Sequence, residues 1–428
     1  MPLCIMGNVK KMKPHLAIKY TCTGCMACVD SCQTFALKGT WSGDGHLYVV
    51  CIEEKCIQCG KCVKVCPITS QFSYEKENST SIPYTAWSND DAIRMTSSSG
   101  GIFATIAYYI IKNGGCVAGS VMDDISIKHI LTDKVEDIAL MQGSKYQQGN
   151  STGIYINVKE KLKEGRRVFF SGVPCQVAGL YSFLGKLAES ELLLTADLVC
   201  SGFPSSCLLK RFIEEIGFDE NKTQKISVTY RNKNAGWEKS KKITITYNEK
   251  NDEPKKNKIT DYGFNNLVYS GFGCNYTARY SCGDCQFSFL KRKSDMTLAD
   301  FWGEKQFPEE HFKGISCVVT HSDAGLKMLA VAGITFHKIQ WKNFIPYNKM
   351  VYQKIHFLQV HPARKFLAWN FSHFSYATLE KIYGGKIDKK DILWLPYKIF
   401  NFVLWKISNH KAKKYNSMIL KKLNHEKN

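Results

Sequence analysis

The sequence contains no apolar run long enough to cross a bilayer. Its longest, Ile102 to Ile111, is closed by Lys112, Asn113 and Gly114, and a membrane helix needs about 20 residues. Met1 to Lys13 holds lysines but neither an apolar core nor a small-residue cleavage site. Nothing there directs the chain to an oxidising compartment, so a cytoplasmic location is expected. Signs of hydrolytic chemistry are missing too. No Ser-His-Asp set or paired carboxylates that would support hydrolysis stand out, the 11 histidines are scattered, and the sequence identifies no catalytic residue. His129, on an alternating strand, reads as a surface residue. Acidic residues are scarce: 38 Asp and Glu face 58 Lys and Arg, a formal net charge of +20. Such an excess attracts phosphate. Yet aromatic and basic residues do not interleave in an RNA-reading motif, and the cysteine spacing fits no zinc finger. No nucleic-acid partner is expected; a basic surface equally suits acidic redox partners or a polyanionic cofactor.

Cysteine is what the chain has in excess: 18 residues, ten of them between Cys4 and Cys66. A chain of 428 residues buries enough surface to do without staples, which leaves metal ligation as the use for these thiolates. Cys22, Cys25, Cys28 and Cys32 are separated by two, two and three residues, and Cys56, Cys59, Cys62 and Cys66 repeat the spacing, with Pro67 following. Three cysteines so spaced wrap one 4Fe-4S cube, and the fourth reaches the neighbouring one. The ligand sets are therefore Cys22, Cys25, Cys28 and Cys66 for one cluster, and Cys56, Cys59, Cys62 and Cys32 for the other. Zinc prefers two separated pairs and fits less well. Gln33 stands where a bacterial ferredoxin would have proline. Cys4 and Cys51 fall outside the pattern and read as packing residues. Between the runs, Gly43, Asp44 and Gly45 predict a hairpin over Trp41 to Val50. Residues 1–70 resemble the two-cluster bacterial ferredoxins over their whole length.

The stretch 71–83 is polar and nearly free of aliphatic residues, as a linker would be. Beyond it the pattern is strand, loop, helix. Ser97, Ser98, Ser99, Gly100 and Gly101 precede an apolar helix that Asn113, Gly114 and Gly115 end before a strand at Cys116. A serine and glycine turn at a helix start presents amides that suit a phosphate, although capping serines also precede many helices that bind nothing. Arg167 to Phe170 runs into Ser171-Gly172-Val173-Pro174-Cys175, and Leu192 to Val199 into Cys200-Ser201-Gly202-Phe203-Pro204. Each reads as strand, Ser-Gly-x-Pro, helix, which places both loops at the carboxyl ends of neighbouring parallel strands, where open α/β sheets bind ligands. With Cys282 and Cys285, Cys175 and Cys200 make four thiols on three loops. Spacing alone leaves open whether these close around one more cluster, pack in the core or make a zinc half-site. Cys116, Cys207, Cys274 and Cys317 are left unassigned.

Six ordered motifs carry a family resemblance: Ser-Ser-Ser-Gly-Gly at 97–101, Gly-Ser-Lys-Tyr at 143–146, Ser-Gly-Val-Pro-Cys-Gln at 171–176, Asp-Leu-Val-Cys-Ser-Gly at 197–202, Ser-Cys-Gly-Asp-Cys-Gln-Phe at 281–287 and Asp-Phe-Trp-Gly at 300–303. Together they resemble the beta subunits of coenzyme F420 hydrogenases and dehydrogenases, from about Tyr84 to Phe366. Tyr280 departs from the usual Arg-Pro-Ser before the cysteine pair, while Arg279 and Ser281 remain. The resemblance implies an α/β protein in which the two-cluster ferredoxin-like module precedes a larger α/β flavin-binding domain over 84–370, followed by a basic aromatic helical extension over 371–428. It implies FAD, with Ser98, Ser99, Gly100 and Gly101 at its phosphates and Ser144, Lys145 and Tyr146 as a second contact segment. It also implies a third 4Fe-4S cluster at Cys175, Cys200, Cys282 and Cys285.

The function so implied is an iron-sulfur flavoprotein oxidoreductase, of the coenzyme F420- or ferredoxin-dependent type. It would pass electrons between a hydride carrier, a deazaflavin or another, and a ferredoxin-like or other redox protein. The alternative is an electron-input subunit serving a separate catalytic protein, in envelope polysaccharide biosynthesis for example. Between Asp391 and Leu423, Trp394, Phe400, Phe402 and Trp405 sit beside Lys406, Lys411, Lys413 and Lys414. Such a tail suits either peripheral membrane contact or a cap on the core.

Overall fold

The computed structural model describes residues 14, 16–70, 72–76, 80–215, 223–249, 257–262, 266–273, 277–303, 307–348 and 366–383, with Pro396, Ile399, Val403 and Lys406 beyond them. Cys4, Cys274 and nearly all of the aromatic and lysine-rich tail lie outside the described residues.

Gly45, with φ near +72°, turns the predicted hairpin. Strands β1 (Leu37–Trp41) and β2 (Leu47–Cys51) pair antiparallel across it, with Trp41 opposite Leu47. The main sheet is built from β3 (Ile82–Ser88), β4 (Cys116–Asp123), β5 (Ser126–Thr132), β6 (Val168–Gly172) and β7 (Leu193–Leu198). A smaller sheet holds β8 (Thr223–Arg231), β9 (Lys241–Glu249) and β10 (Asn257–Tyr262) in the order β10-β9-β8. Then β11 (Met296–Asp300), β12 (Ser316–Thr320) and β13 (Ile334–Lys338) complete the main sheet in the order β13-β3-β12-β11-β7-β6-β4-β5. Its four central strands, β11, β7, β6 and β4, are mutually parallel, and antiparallel wings flank them. In β6 and β7 nearly every residue is buried, as a parallel centre covered on both faces requires. One face packs on the helix Ile102–Lys112. The other packs on the helices Ile154–Lys163 and Pro174–Leu184.

The amino-terminal module belongs to that second core, through Cys25 and Ala27. Arg279 is wholly buried and donates from Nε to the Cys22 carbonyl and from Nη1 to the Leu47 carbonyl, both at 2.7 Å. Asp30 accepts the amides of Gly153 and Tyr155 at the start of the helix Ile154–Lys163, and the Ser151 and Tyr155 hydroxyls donate to the Cys25 carbonyl. Gly24 makes one of two close approaches, Gly45 against Ser205 the other. The φ of Gly24 is near +71°, and a Cβ there would stand 2.3 Å from the Gln148 amide and 2.8 Å from the Leu47 carbonyl. Gly60 has nearly the same φ, +72°, and open space around it. Gly60→Ala is therefore expected to cost only its left-handed backbone, about 1–2 kcal/mol. Gly24→Ala should cost clearly more and loosen the module's seat. Anaerobic denaturation of the two variants measures the difference.

Three expectations need correction. The polar stretch expected to be a linker does not hang free: the backbone of Glu75 pairs antiparallel with that of Arg292, the Lys293 amide donates to the Tyr74 carbonyl, and Tyr74 is 2% exposed. One aromatic ring in a polar segment suffices to anchor it. The helix after the second Ser-Gly-x-Pro starts at Cys207, not at Pro204, because Ser206 is held by the hairpin carbonyl of Gly45 and Ser205 accepts the Cys207 amide. Residues of the expected tail extension, Phe371, Tyr376, Leu379 and Ile382, instead join Leu208, Phe212, Val228 and Ile245 in a second core beside the small sheet.

Candidate functional site

In the first cysteine set Cys25, Cys28 and Cys66 are buried and Cys22 is half-buried. Burial first, then Cys66 and Cys22, push the Cys25 thiol up to about 12. Burial and then Cys25, Cys22 and Cys66 push Cys28 up as well. Cys66 thus sits with the first run. Cys62 is raised by burial and by Cys32 and Cys59, which puts Cys32 with the second run. Although partial burial opposes its charge, Cys32 lies below its ordinary value, held by the Thr34 hydroxyl and the amides of Leu37 and Ala36. Cys51, which spacing sets aside, has its thiol raised by burial and by the neighbouring Cys56. Cys59 is exposed. Phe35, 77% exposed, and Ile57, 69% exposed, flank Cys32 and Cys56 in the chain. The module has a buried inner set and an outward set with apolar side chains around it.

The parallel centre of the sheet builds the second constellation. Register pairs Val168 with Leu193 and Gly172 with Asp197, so β6 and β7 end side by side and deliver Cys175 and Cys200 to the same edge. The short turn Tyr280–Asp284 brings Cys282 and Cys285 opposite. All four line one cavity, together with Thr23 of the first run, Phe287 and Arg292. The Gly202 amide points at the Cys200 sulfur at 3.3 Å, and the Phe203 amide at the Cys282 sulfur at 3.4 Å. Burial, then Cys200, Cys282, Cys285 and Cys25, drive the Cys175 thiol far up. Burial and Cys282 lift Cys200 to about 12 against the Gly202 amide and Arg292. Among the described residues no three His, Cys, Asp or Glu side chains stand close enough to hold a single metal ion; what these four thiols share is a cavity. Four thiols confined together resist losing their protons unless cationic metal neutralises the thiolates, and the amides aimed at sulfur stabilise them in the charged form. The donor set fits an iron-sulfur cluster.

Arg279 donates to the Cys22 loop and stands three residues before Cys282, so it ties the two constellations together. A Cβ on Gly179, in the helix that Cys175 opens, would meet the Cys25 sulfur at 3.1 Å. Under the cavity, Arg292 pairs with Asp197 at 3.0 Å, and both are inaccessible. Asp197 also accepts from the Tyr74 hydroxyl at 2.7 Å and from Thr297 at 2.5 Å.

The expected flavin residues part company. Ser98 accepts both the amide and the hydroxyl of Ser144. Tyr146 accepts from Arg231 Nε and lies edge-on to Tyr230 and Tyr269. Ser99 donates to the Ile315 carbonyl, and the Gly100 amide is taken by the Ser316 hydroxyl. A Cβ on Gly100 would stand 2.4 Å from the Ala86 carbonyl, so this glycine serves strand approach. Gly101, with φ near +86°, starts the helix Ile102–Lys112, which has no side-chain cap. The Lys145 ammonium turns inward to the carbonyls of Met141, Gln142 and Gly143. Ser98 and Ser144 meet, Tyr146 joins Arg231 and the Tyr230 and Tyr269 rings, and Ser99, Gly100 and Lys145 are occupied with the fold. His129 is also corrected. The returning chain pairs with β5 through Asn150, both ring nitrogens are buried, and the ring stacks on Phe170. Burial pushes its pKa down to about 4. Sequence reasoning quotes Asp300 only as part of a motif and misses Arg231 and Lys241, whose types are unremarkable until β8 and β9 set them opposite each other and Arg231 meets Asp300 across the two sheets.

Residues 21–70 match the 4Fe-4S dicluster domain, and residues 165–341 match the family described as the carboxyl-terminal region of the coenzyme F420 hydrogenase/dehydrogenase beta subunit. No curated protein matches. Among solved structures, a chain of the F420-reducing [NiFe] hydrogenase complex from Methanosarcina barkeri is 16% identical, with 66% of this chain and 90% of that one covered at a TM-score of 0.42. No helix among the described residues is long and apolar enough to cross a membrane. The chain is an iron-sulfur electron-transfer protein that joins an amino-terminal 4Fe-4S dicluster domain to a region related to the coenzyme F420 hydrogenase and dehydrogenase beta subunits.

Proposed function

We propose that the chain is a flavin-dependent oxidoreductase that carries three 4Fe-4S clusters and hands electrons to a redox-protein partner. One observation carries the reading: four cysteines from three loops line a cavity whose wall includes Thr23 of the first cysteine run. The inner ligands would be Cys22, Cys25, Cys28 and Cys66, the outer Cys56, Cys59, Cys62 and Cys32, and the third set Cys175, Cys200, Cys282 and Cys285. A flavin, when bound, supplies the conversion between a two-electron hydride carrier, a deazaflavin or another, and one-electron centres. For this chain's part, Ser98 bonded to Ser144, and Tyr146, would offer contacts, and the helix Ile102–Lys112 starts without a side-chain cap, which favours a phosphate. Arg279 and Tyr155 hold the Cys22–Cys28 loop against the domain. Phe287 and Phe203 exclude water from the cavity.

The exposed Cys59, Phe35 and Ile57 favour a protein acceptor over a small one. An electron-input subunit serving a separate catalytic protein is the form of the reading these side chains support. The test is anaerobic purification with iron, sulfide and flavin counts. About twelve irons and twelve sulfides with one flavin per chain are expected. About eight irons would remove the third cluster, and stoichiometric zinc without sulfide would remove the redox reading.

A further inference from the structure

On the smaller sheet, Arg231 ends β8 directly opposite Lys241, which starts β9. The Arg231 side chain is only 7% exposed. Its Nη2 meets Asp300 at 2.7 Å and its Nε meets Tyr146 at 3.1 Å, while Nη1 is buried with no partner. Tyr269, 3% exposed and 5.7 Å from the Tyr146 ring, also buries a hydroxyl without a partner. The Lys241 ammonium stands 4.1 Å over the Trp302 ring, and Trp302 packs on Trp237, whose indole donates to the Ser98 carbonyl. Asp300 closes β11 at the carboxyl end of the parallel strands, the edge to which Cys175 and Cys200 are also delivered.

One carboxylate serves two cations here. Burial works against the Arg231 charge, but Asp300 and Tyr146 outweigh it and hold the guanidinium above its ordinary value. Lys241 is lowered by burial and by Arg231. An unmade bond from a buried charged donor is costly, and a guanidinium with one free edge matches a planar or tetrahedral oxyanion.

We propose that Arg231, Lys241 and Tyr269 form a subsite for an oxyanion, a phosphate or carboxylate of a ligand that lies against Tyr146 and Trp302. The ligand's identity rests on the flavin reading; the oxyanion subsite itself does not. Two sources share this chemistry, the diphosphate of a bound flavin dinucleotide and the acidic group of the hydride carrier.

Titration calorimetry of anaerobically purified full-length protein with inorganic pyrophosphate tests the subsite. Saturable binding is expected, weakened about tenfold or more by Arg231→Gln and several-fold by Tyr269→Phe. Arg166→Gln, which breaks a surface pair with Asp133, should leave it unchanged. Iron content reports whether each variant is folded, and Tyr269→Phe removes only a hydroxyl should Arg231→Gln fail to fold. If Arg231→Gln lowers FAD affinity but not riboflavin affinity, the diphosphate is the source. If FAD is retained and flavin-loaded protein still binds pyrophosphate, the source is the carrier. Pyrophosphate binding at Arg231 in protein that takes up no flavin would end the flavin reading and leave the subsite standing. Absence of saturable pyrophosphate binding, or binding indifferent to both Arg231→Gln and Tyr269→Phe, overturns it.

Discussion

Serine at Cys175 or at Cys282 is expected to remove about four of about twelve irons per chain and leave the rest in place. A hydroxyl keeps its proton where a thiol gives way to iron, so the substitution subtracts a ligand with little change of volume. Loss of an outer-shell partner at a metal site already costs about 10–100-fold, so loss of a direct ligand should slow donor-driven bleaching of the amino-terminal clusters by at least that much. Dithionite reaches the exposed set around Cys59 directly, and chemical reduction should stay near normal. Cys116→Ala is the control: that thiol is buried in β4, apart from the cavity. Iron, sulfide and stopped-flow bleaching read the outcome. Unchanged iron in both cavity variants would reduce the four cysteines to packing residues, and with them the proposed third cluster.

How much of this was legible beforehand depended on how local each signal was. The two cysteine runs lie within short loops, so spacing alone predicts two ligand sets, with Cys32 and Cys66 crossing between them. The Ser-Gly-x-Pro turns announce parallel strands because proline fixes the backbone where it stands and glycine permits the sharp exit from the strand, and register places Gly172 beside Asp197 accordingly. Residues that act across the fold leave no such trace. Arg231 and Asp300 are 69 positions apart and meet only once the small sheet packs on the main one. Tyr74 is one ring in a polar stretch, and nothing in composition tells that its hydroxyl reaches Asp197. The serine and glycine turn shows the converse failure. A motif with two physical uses was read for the first, phosphate binding, while Gly100 is engaged in the second, close packing against Ala86 and Ser316. Strand alternation around His129 reports a face and cannot report that its ring stacks on Phe170 two strands away.

The buried pair beneath the cavity carries the largest expected effect on stability. Asp197 and Arg292 are fully inaccessible, and Asp197 gathers Thr297 and Tyr74 as well. Asp197→Asn keeps the shape but strands the guanidinium in a site it cannot leave, because Arg292 Nε is also held by the Phe289 carbonyl at 2.7 Å. Breaking such a pair from one side costs about 3–5 kcal/mol, whereas replacing both partners with apolar groups of similar volume is often close to neutral. The expected result is a large loss of denaturant stability in Asp197→Asn, mostly regained in Asp197→Leu with Arg292→Met. Iron binding should separate the two roles. Arg292 lines the cavity and opposes the rise of the Cys200 thiol, so the double variant, though stable, loses a cation that favours thiolate and should hold the third cluster's iron less tightly. A single variant within about 1 kcal/mol of the parent would show that water reaches Arg292, and the inaccessibility of this pair would have to be abandoned.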